Sequence, residues 1–138
     1  ENMQIRRAVK WESKGACAIY LHMGGKIGVM IDAEGNTANQ AALNDICMHI
    51  AAFKPQYLNP ESIPADVIAK EKEIAAAQLG DKPAAMLEKI LAGKINKWYT
   101  EVCLTKQPWL RDDKTSVEKA NDGVVIKRYI RWEVGEAI

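Results

Sequence analysis

The chain has 138 residues, with 19 lysine and arginine residues against 18 aspartate and glutamate residues, so its formal net charge is +1. Apolar residues make up 48% of the sequence and charged residues 27%, the average usage of soluble globular proteins. This near-neutral charge excludes bulk electrostatic attraction to nucleic acid or to an anionic membrane, and one domain is expected at this length. The longest apolar run, residues 16–21, is far shorter than the roughly 20 residues of a membrane-spanning helix.

The start of the chain and its cysteines bear on its origin and compartment. Residues 1–7 contain neither an initiator methionine nor the apolar segment of a signal peptide, as expected of a piece cut from a longer protein. The three cysteines Cys17, Cys47 and Cys103 form no C-x-x-C pair, which predicts small buried apolar residues in a reducing compartment rather than a disulfide framework. No metal-ligand spacing joins them to His22 or His49, so neither a metal nor another cofactor is expected.

The first third of the chain is predicted to form three strands and a turn, at residues 5–11, 16–22, 26–32 and 33–37. In the first of these strands Ile5, Val9 and Trp11 share one face. The glycine-bearing sequence Met23-Gly24-Gly25 separates the second strand from the third. It predicts a hairpin connection between them.

The apolar period then changes to that of helices. A stripe with helical spacing is formed by Leu43, Ile46, Cys47, Ile50 and Phe53. Pro55 ends this helix, because the residue before a proline is disfavoured in the helical conformation. Two further helices are predicted over residues 64–98, with Ser62 or Ile63 near the first cap and Asp81 capping the second. Because the linker between them is short, we expect an antiparallel helical hairpin that projects from the fold.

The last part of the chain predicts a short helix over residues 116–120 and a strand over residues 124–134. One face of the strand is predicted to carry Val124, Ile126, Ile130, Trp132 and Val134. The other is predicted to carry Lys127, Tyr129, Arg131 and Glu133. The order of strands, helices and a final strand predicts an α+β fold, with a small antiparallel sheet and helices packed on one of its faces.

No catalytic motif is present in the sequence, so we do not expect an enzyme. Residues 24–28 contain three glycines but join two strands, and a hairpin turn is therefore favoured over a phosphate cradle, which needs a helix N-terminus. If the terminal strands pair, the face of the last strand with Lys127, Tyr129 and Arg131 would lie near Arg6 and Arg7. Basic residues interleaved with aromatic ones form the surfaces that bind single-stranded nucleic acids. A solvated charged strand face is much commoner, so nucleic acid is not expected as a partner.

The two histidines receive different interpretations. His22 ends a predicted strand just before the glycine turn, where side chains are accessible. It is either a polar tip presented to a partner or a solvated strand end. His49 lies on the flank of the apolar stripe of its helix, which predicts a half-buried structural histidine.

Several stretches, in order along the chain, resemble the C-terminal half of elongation factor Ts, the bacterial and organellar guanine-nucleotide exchange factor for elongation factor Tu. They are ENMQIRR (residues 1–7), YLH (20–22), KIGV (26–29), MHIAAFKPQY (48–57), KP (82–83), EKILAGK (88–94), EVCLTKQPW (101–109) and IRWEVGE (130–136). The resemblance covers nearly the whole chain. It implies that residues 1–138 are a single core subdomain of the dimerisation type, with the coiled-coil hairpin of residues 64–98 inserted in it.

The resemblance also implies a function and a site. The partner would be elongation factor Tu, with a homodimer left open, and the compartment would be the cytoplasm or an organellar matrix. His22 resembles a histidine that the family places at the partner surface, so the partner-binding residues are predicted to be His22, Met23, Gly24 and Gly25. The family's Thr-Asp-Phe-Val motif, which disturbs the magnesium site of the partner, does not occur in this sequence. The chain therefore resembles the half that docks.

Two other functions stay open at the level of the sequence. One is an interaction module that uses the helical hairpin to bind a ribosomal or replicase-type assembly without nucleotide exchange. The other, weaker one is RNA binding by the basic face of the last strand. Stimulated release of GDP separates exchange from both, and a salt-dependent titration with RNA isolates the second.

Overall fold

The computed structural model describes residues 2–138, and within them the chain forms a three-stranded sheet, four helices and a small two-stranded ribbon. In chain order the elements are β1 (Ala16–His22), β2 (Ile27–Gly35), α1 (Gln40–Phe53), α2 (Ala65–Leu79), α3 (Ala84–Val102), β3 (Pro108–Trp109), β4 (Asp112–Ser116), α4 (Val117–Ala120) and β5 (Val124–Glu133). The antiparallel sheet and the helices confirm the predicted α+β class.

The main sheet has the strand order β1-β2-β5, with β2 in the centre and antiparallel to both neighbours. Strands β1 and β2 pair without interruption from Ala16 opposite Ala33 to His22 opposite Ile27. Both strands of the predicted hairpin are therefore confirmed. The turn predicted from Ala33 onward begins later, because β2 stays paired with β5 as far as Gly35.

Helix α1 covers one face of this sheet and forms the core with it. The core side of β2 carries alternating apolar residues, all of them buried: Ile27, Val29, Ile31 and Ala33. Helix α1 packs against them with the stripe predicted from its sequence, which includes the fully buried Leu43, Ile46, Cys47 and Ile50. Burial of one such aliphatic side chain contributes about 1.5–3 kcal/mol, so this layer is the main source of stability.

A bulge in β5 corrects the prediction for the two faces of that strand. Asp32 pairs with Arg128 while the next residue, Ala33, pairs with Ile126, so Lys127 is the extra residue. One extra residue exchanges the faces of every side chain that follows it. Tyr129 therefore lies on the same side as Ile126, packed against the core.

Hydrogen bonds hold the second half of β5 in this orientation. The Tyr129 hydroxyl donates to the carbonyl oxygen of Pro55 at 2.7 Å, and Arg131 Nε donates to that of Ala51 at 3.2 Å. The basic and aromatic platform considered as the weaker alternative does not form, because Tyr129 faces the connector after α1 and Arg131 faces α1. Ile130 and Trp132 lie on the opposite face of the sheet, where they line a groove beneath the N-terminal segment.

The prediction of a strand over residues 5–11 is wrong. This segment has no regular secondary structure; it lies over the open face of the sheet and is held there by side chains. The Arg7 guanidinium lies 4.4 Å from the centre of the Trp132 ring and forms an ion pair with Glu136. Farther along, the Arg128 guanidinium lies 4.5 Å from the Trp11 ring. These contacts place the segment on the face of the sheet instead of at an edge.

Helices α2 and α3 are packed against each other, as predicted, but α3 continues four residues beyond the predicted end, to Val102. The helices begin after Pro64 and Pro83, neither of which provides a side-chain cap. Ser62 and Ile63 lie near the first cap, as predicted, whereas the predicted cap at Asp81 is wrong because Pro83 holds that position. The Val102 carbonyl accepts main-chain hydrogen bonds from the connector at residues 56 and 57, which fixes the base of the pair. The division of residues 1–138 into one domain with an inserted hairpin stays a prediction.

His49 is fully buried, so its prediction as a half-buried residue is wrong. Its Nδ1 accepts a hydrogen bond from the Leu110 amide at 3.2 Å, and its Nε2–H therefore donates to Gln107 Oε1 at 2.9 Å. The Phe53 and Trp109 rings stack near it, with centroids 4.5 and 5.4 Å away. The segment after α3 folds back over this flank of α1, and that contact is invisible to helical periodicity.

The three cysteines are free, and two of them are buried as predicted. Burial raises the pKa of the Cys47 thiol to about 12. It is also the largest cause of the raised pKa of the Cys103 thiol, which is about 11. Both therefore stay protonated and unreactive near neutral pH. The prediction is wrong for Cys17, which is exposed because odd-numbered positions of β1 face away from the core.

The Gln107→Ala variant is expected to lose about 2–4 kcal/mol of unfolding free energy, because the buried Gln107 makes three side-chain hydrogen bonds and its loss leaves the buried His49 N–H without an acceptor. Its amide nitrogen donates to the carbonyl oxygens of Glu101 and Phe53, and its oxygen accepts from His49. Urea unfolding measures the loss. The exposed Gln78→Ala variant is the matched control and should change stability by at most about 0.5 kcal/mol. A loss below about 1 kcal/mol for Gln107→Ala would contradict the linking role.

The stability of the chain should fall when the pH drops below about 6.5, the ordinary pKa of an unfolded histidine. Burial lowers the pKa of His49 in the folded chain and outweighs the opposing effect of the hydrogen bond that His49 donates to Gln107. The unfolded chain therefore binds a proton first, with a slope of at most about 1.4 kcal/mol per pH unit until the folded pKa is reached. Urea unfolding between about pH 7.5 and 5.5 measures this slope. An equal slope in a folded His49→Leu variant would assign the effect to other groups.

Candidate partner-binding turn

The predicted site residues His22, Met23, Gly24 and Gly25 lie together at the end of the β1–β2 hairpin, and we call them the 22–25 turn. His22 is the last residue of β1 and pairs with Ile27. All four residues are exposed. The structure thus confirms the accessible strand-end position of His22, while the partner-binding role of the turn stays a prediction.

The backbone of the 22–25 turn has left-handed dihedral angles at three successive residues. The φ angles of Met23, Gly24 and Gly25 are 52°, 67° and 91°. Glycine adopts such angles without steric cost, but methionine does not. A Cβ atom on either glycine would meet no atom of residues 2–138 within 4 Å, so the glycines serve the conformation of the turn.

Hydrogen bonds brace this turn against the sheet. The Lys26 amide donates to the carbonyl oxygen of Met23 at 3.4 Å, and the Val134 amide donates to that of Lys26 at 2.9 Å. The second bond ties the turn to the chain just after β5. The turn is therefore held by the paired strands below it and by the end of the third strand beside it.

The side chain of His22 is oriented by its neighbour on the same face of β1. The Tyr20 hydroxyl lies 2.8 Å from His22 Nδ1, and the two ring centroids are 5.7 Å apart at an interplanar angle of 38°. Tyr20 is half-buried and packs against the core, whereas His22 is exposed. Sequence reasoning missed Tyr20, although the spacing of two residues on a strand places both side chains on one face.

Exposed apolar residues lie within and next to the 22–25 turn. Met23 is 62% exposed, and Ile19 and Leu21, on the face of β1 opposite to Tyr20 and His22, are 68% and 65% exposed. Neighbouring exposed apolar residues are typical of a protein-binding surface. The turn therefore offers a hydrogen-bonding imidazole and a methionine side chain on a rigid support, which suits binding rather than chemistry.

Residues 2–138 contain no group of three or more histidine, cysteine, aspartate or glutamate side chains that could hold a metal ion. No helix among these residues is both long enough and apolar enough to span a membrane. His49, the second histidine, is fixed in the core and is separate from the turn.

The Met23→Gly variant should keep or gain stability, by up to about 1 kcal/mol, because glycine removes the steric cost of the left-handed conformation and little packing is lost. Thermal and urea unfolding measure the change. The matched variant Gly25→Ala has the opposite sign, since it adds a Cβ atom at a φ of 91°. A loss of more than about 1 kcal/mol in Met23→Gly would show that this side chain is part of the core.

Comparison with known proteins places the chain in a family. The family model described as "Elongation factor TS" matches residues 1–136. The chain is 43% identical to elongation factor Ts of Nautilia profundicola and 42% identical to that of Halothermothrix orenii, with 100% of this chain covered in both cases. It covers 51% and 48% of those proteins, so it spans about half the length of the relatives that it matches. The chain belongs to the elongation factor Ts family of translation elongation factors.

Proposed function

We propose that this chain binds elongation factor Tu through the 22–25 turn and acts as the docking half of a guanine-nucleotide exchange factor. The observation that carries the proposal is the exposed, braced turn with His22 at its start, at the position where the family resemblance puts a partner-binding histidine. Membership of the elongation factor Ts family supports the choice of partner.

The mechanism that we propose is conformational, and no residue of the chain carries out a covalent step. An exchange factor binds the nucleotide-free form of its partner more tightly than the GDP-bound form. The difference between the two affinities limits how far it can shift the partner toward GDP release. A rigid docking surface helps, because little conformational entropy is lost when it binds.

Docking and nucleotide release are separable in this proposal. The Thr-Asp-Phe-Val motif that would disturb the magnesium site of the partner does not occur in the 138 residues. We therefore propose that the chain binds elongation factor Tu but accelerates GDP release little or not at all. The compartment proposed is that of translation, the cytoplasm or an organellar matrix, where the free cysteines stay reduced.

The alternative function is an interaction module without exchange activity. It would use the helix pair α2–α3, which exposes large apolar side chains at Ile74 and Met86. Those two are single exposed apolar residues on different helices, and such residues are normal on a protein surface. The 22–25 turn carries the exposed Met23 next to the oriented His22 imidazole, and we favour it for that reason.

The experiment measures binding and GDP release together. Nucleotide-free elongation factor Tu from a relative's organism, such as Nautilia profundicola, is titrated with the chain by calorimetry. The release of fluorescent GDP is followed with the chain in large excess. The wild-type chain should bind, and release should change little. His22→Ala should weaken binding by about 10-fold, because truncation of a central interface residue costs about 1–2 kcal/mol.

The matched control is Lys119→Ala, an exposed change on α4, away from the turn. It should leave binding within about 2-fold of the wild type, and both variants should unfold as the wild type does. Full acceleration of GDP release would show that this half does more than dock. Unchanged binding by His22→Ala would remove the turn from the interface.

A further inference from the structure

We propose that Tyr20 is a positioning residue that holds neutral His22 in one tautomer, with the proton on Nε2. The turn would then present a single N–H donor to an acceptor oxygen on elongation factor Tu. This inference rests on the proposed function, since it assigns the chemistry of the same surface. It concerns a residue that does not itself need to touch the partner.

The first step is geometric. Tyr20 and His22 are two residues apart on β1 and pair with Val29 and Ile27 of β2 in an unbroken ladder. The ladder fixes both Cα positions, and packing against the core fixes the Tyr20 ring. The distance of 2.8 Å between the Tyr20 hydroxyl and His22 Nδ1 is that of a good hydrogen bond.

The second step assigns the proton. A phenol is a strong donor and a weak acceptor, because its oxygen shares electron density with the ring. A neutral imidazole nitrogen without a proton is a strong acceptor. The favoured arrangement is therefore Tyr20 O–H donating to His22 Nδ1, which leaves the imidazole proton on Nε2. Among the hydrogen bonds of residues 2–138, none involves His22 Nε2, so this donor points to solvent.

The third step concerns the free energy of binding. An unrestrained imidazole samples several ring orientations and two tautomers, and a partner that needs one of them must select it. The Tyr20 hydrogen bond makes that selection before the partner arrives. Its removal should weaken binding by about 3–10-fold while leaving the imidazole itself in place.

The first measurement uses the chain alone. Nitrogen-15 spectra of the two histidine rings, recorded near neutral or slightly alkaline pH, report which ring nitrogen carries the proton. The signals of His22 are identified as those that disappear from the spectrum of the His22→Gln variant. The wild type should show a protonated Nε2 and an unprotonated Nδ1 at His22. In the Tyr20→Phe variant the nitrogen-15 chemical shifts of His22 Nδ1 and Nε2 should move toward each other, because both tautomers are then populated. The signals of the buried His49 should stay in place and serve as an internal control.

The second measurement is binding to nucleotide-free elongation factor Tu. Tyr20→Phe should weaken binding by about 3–10-fold at unchanged thermal stability, because the ring and its packing are kept. His22→Gln should bind better than His22→Ala, since its side-chain amide can place an N–H donor near the position of Nε2. In the double variant Tyr20→Phe/His22→Gln, the tyrosine change should cost nothing further, because its effect acts through the imidazole.

The outcomes separate this inference from the proposed function. If His22 carries its proton on Nδ1, or if Tyr20→Phe binds as tightly as the wild type while His22→Ala does not, the positioning role is wrong and the docking role stands. If the wild-type chain does not bind elongation factor Tu, both are overturned. An equal loss from Tyr20→Phe with and without His22→Gln would assign the loss to a direct contact of Tyr20 and also overturn the inference.

Discussion

The fold depends on strand β2, which is hydrogen-bonded on both edges and buried on its core face. Its apolar residues from Ile27 to Ala33 meet helix α1, and its two ladders place β1 and β5. Close approach of the chain at the start of β1 is part of this arrangement, since a Cβ atom on Gly15 would collide with the Ala33 carbonyl. The same strand holds the 22–25 turn in place, because the first residue of the turn, His22, is paired with Ile27 of β2. The proposed docking surface therefore depends on the core for its rigidity.

The bulge at Lys127 determines how the remaining surfaces are used. It directs Tyr129 and Arg131 toward α1 and the connector, where their hydrogen bonds to main-chain carbonyls join the sheet to the helices. It directs Ile130 and Trp132 to the open face, where the N-terminal segment crosses the sheet. The same single residue therefore removes the basic platform that a regular strand would have had.

Local patterns predicted much of the fold, and non-local contacts account for what they missed. Strand alternation, the glycine turn and helical spacing correctly predicted β1, β2, α1 and the pairing of α2 with α3, because each signal lies within one element. The burial of His49 depends on Gln107, far along the chain, and the path of residues 5–11 depends on Trp132 and Arg128. In the site, the exposure of His22 followed from its place at a strand end. The strained φ of Met23 has no sequence signal, because methionine is not a residue that predicts a left-handed turn.

The most direct test of the account is amide hydrogen exchange of the chain with and without nucleotide-free elongation factor Tu. Amides of residues 22–26 lie at the exposed end of the hairpin and should exchange readily in the free chain, since the end of a ladder opens locally. The account predicts that binding slows exchange at these residues and changes the helix pair α2–α3 less. Slowed exchange confined to α2 and α3, with residues 22–26 unchanged, would contradict the claim that the turn is the docking surface.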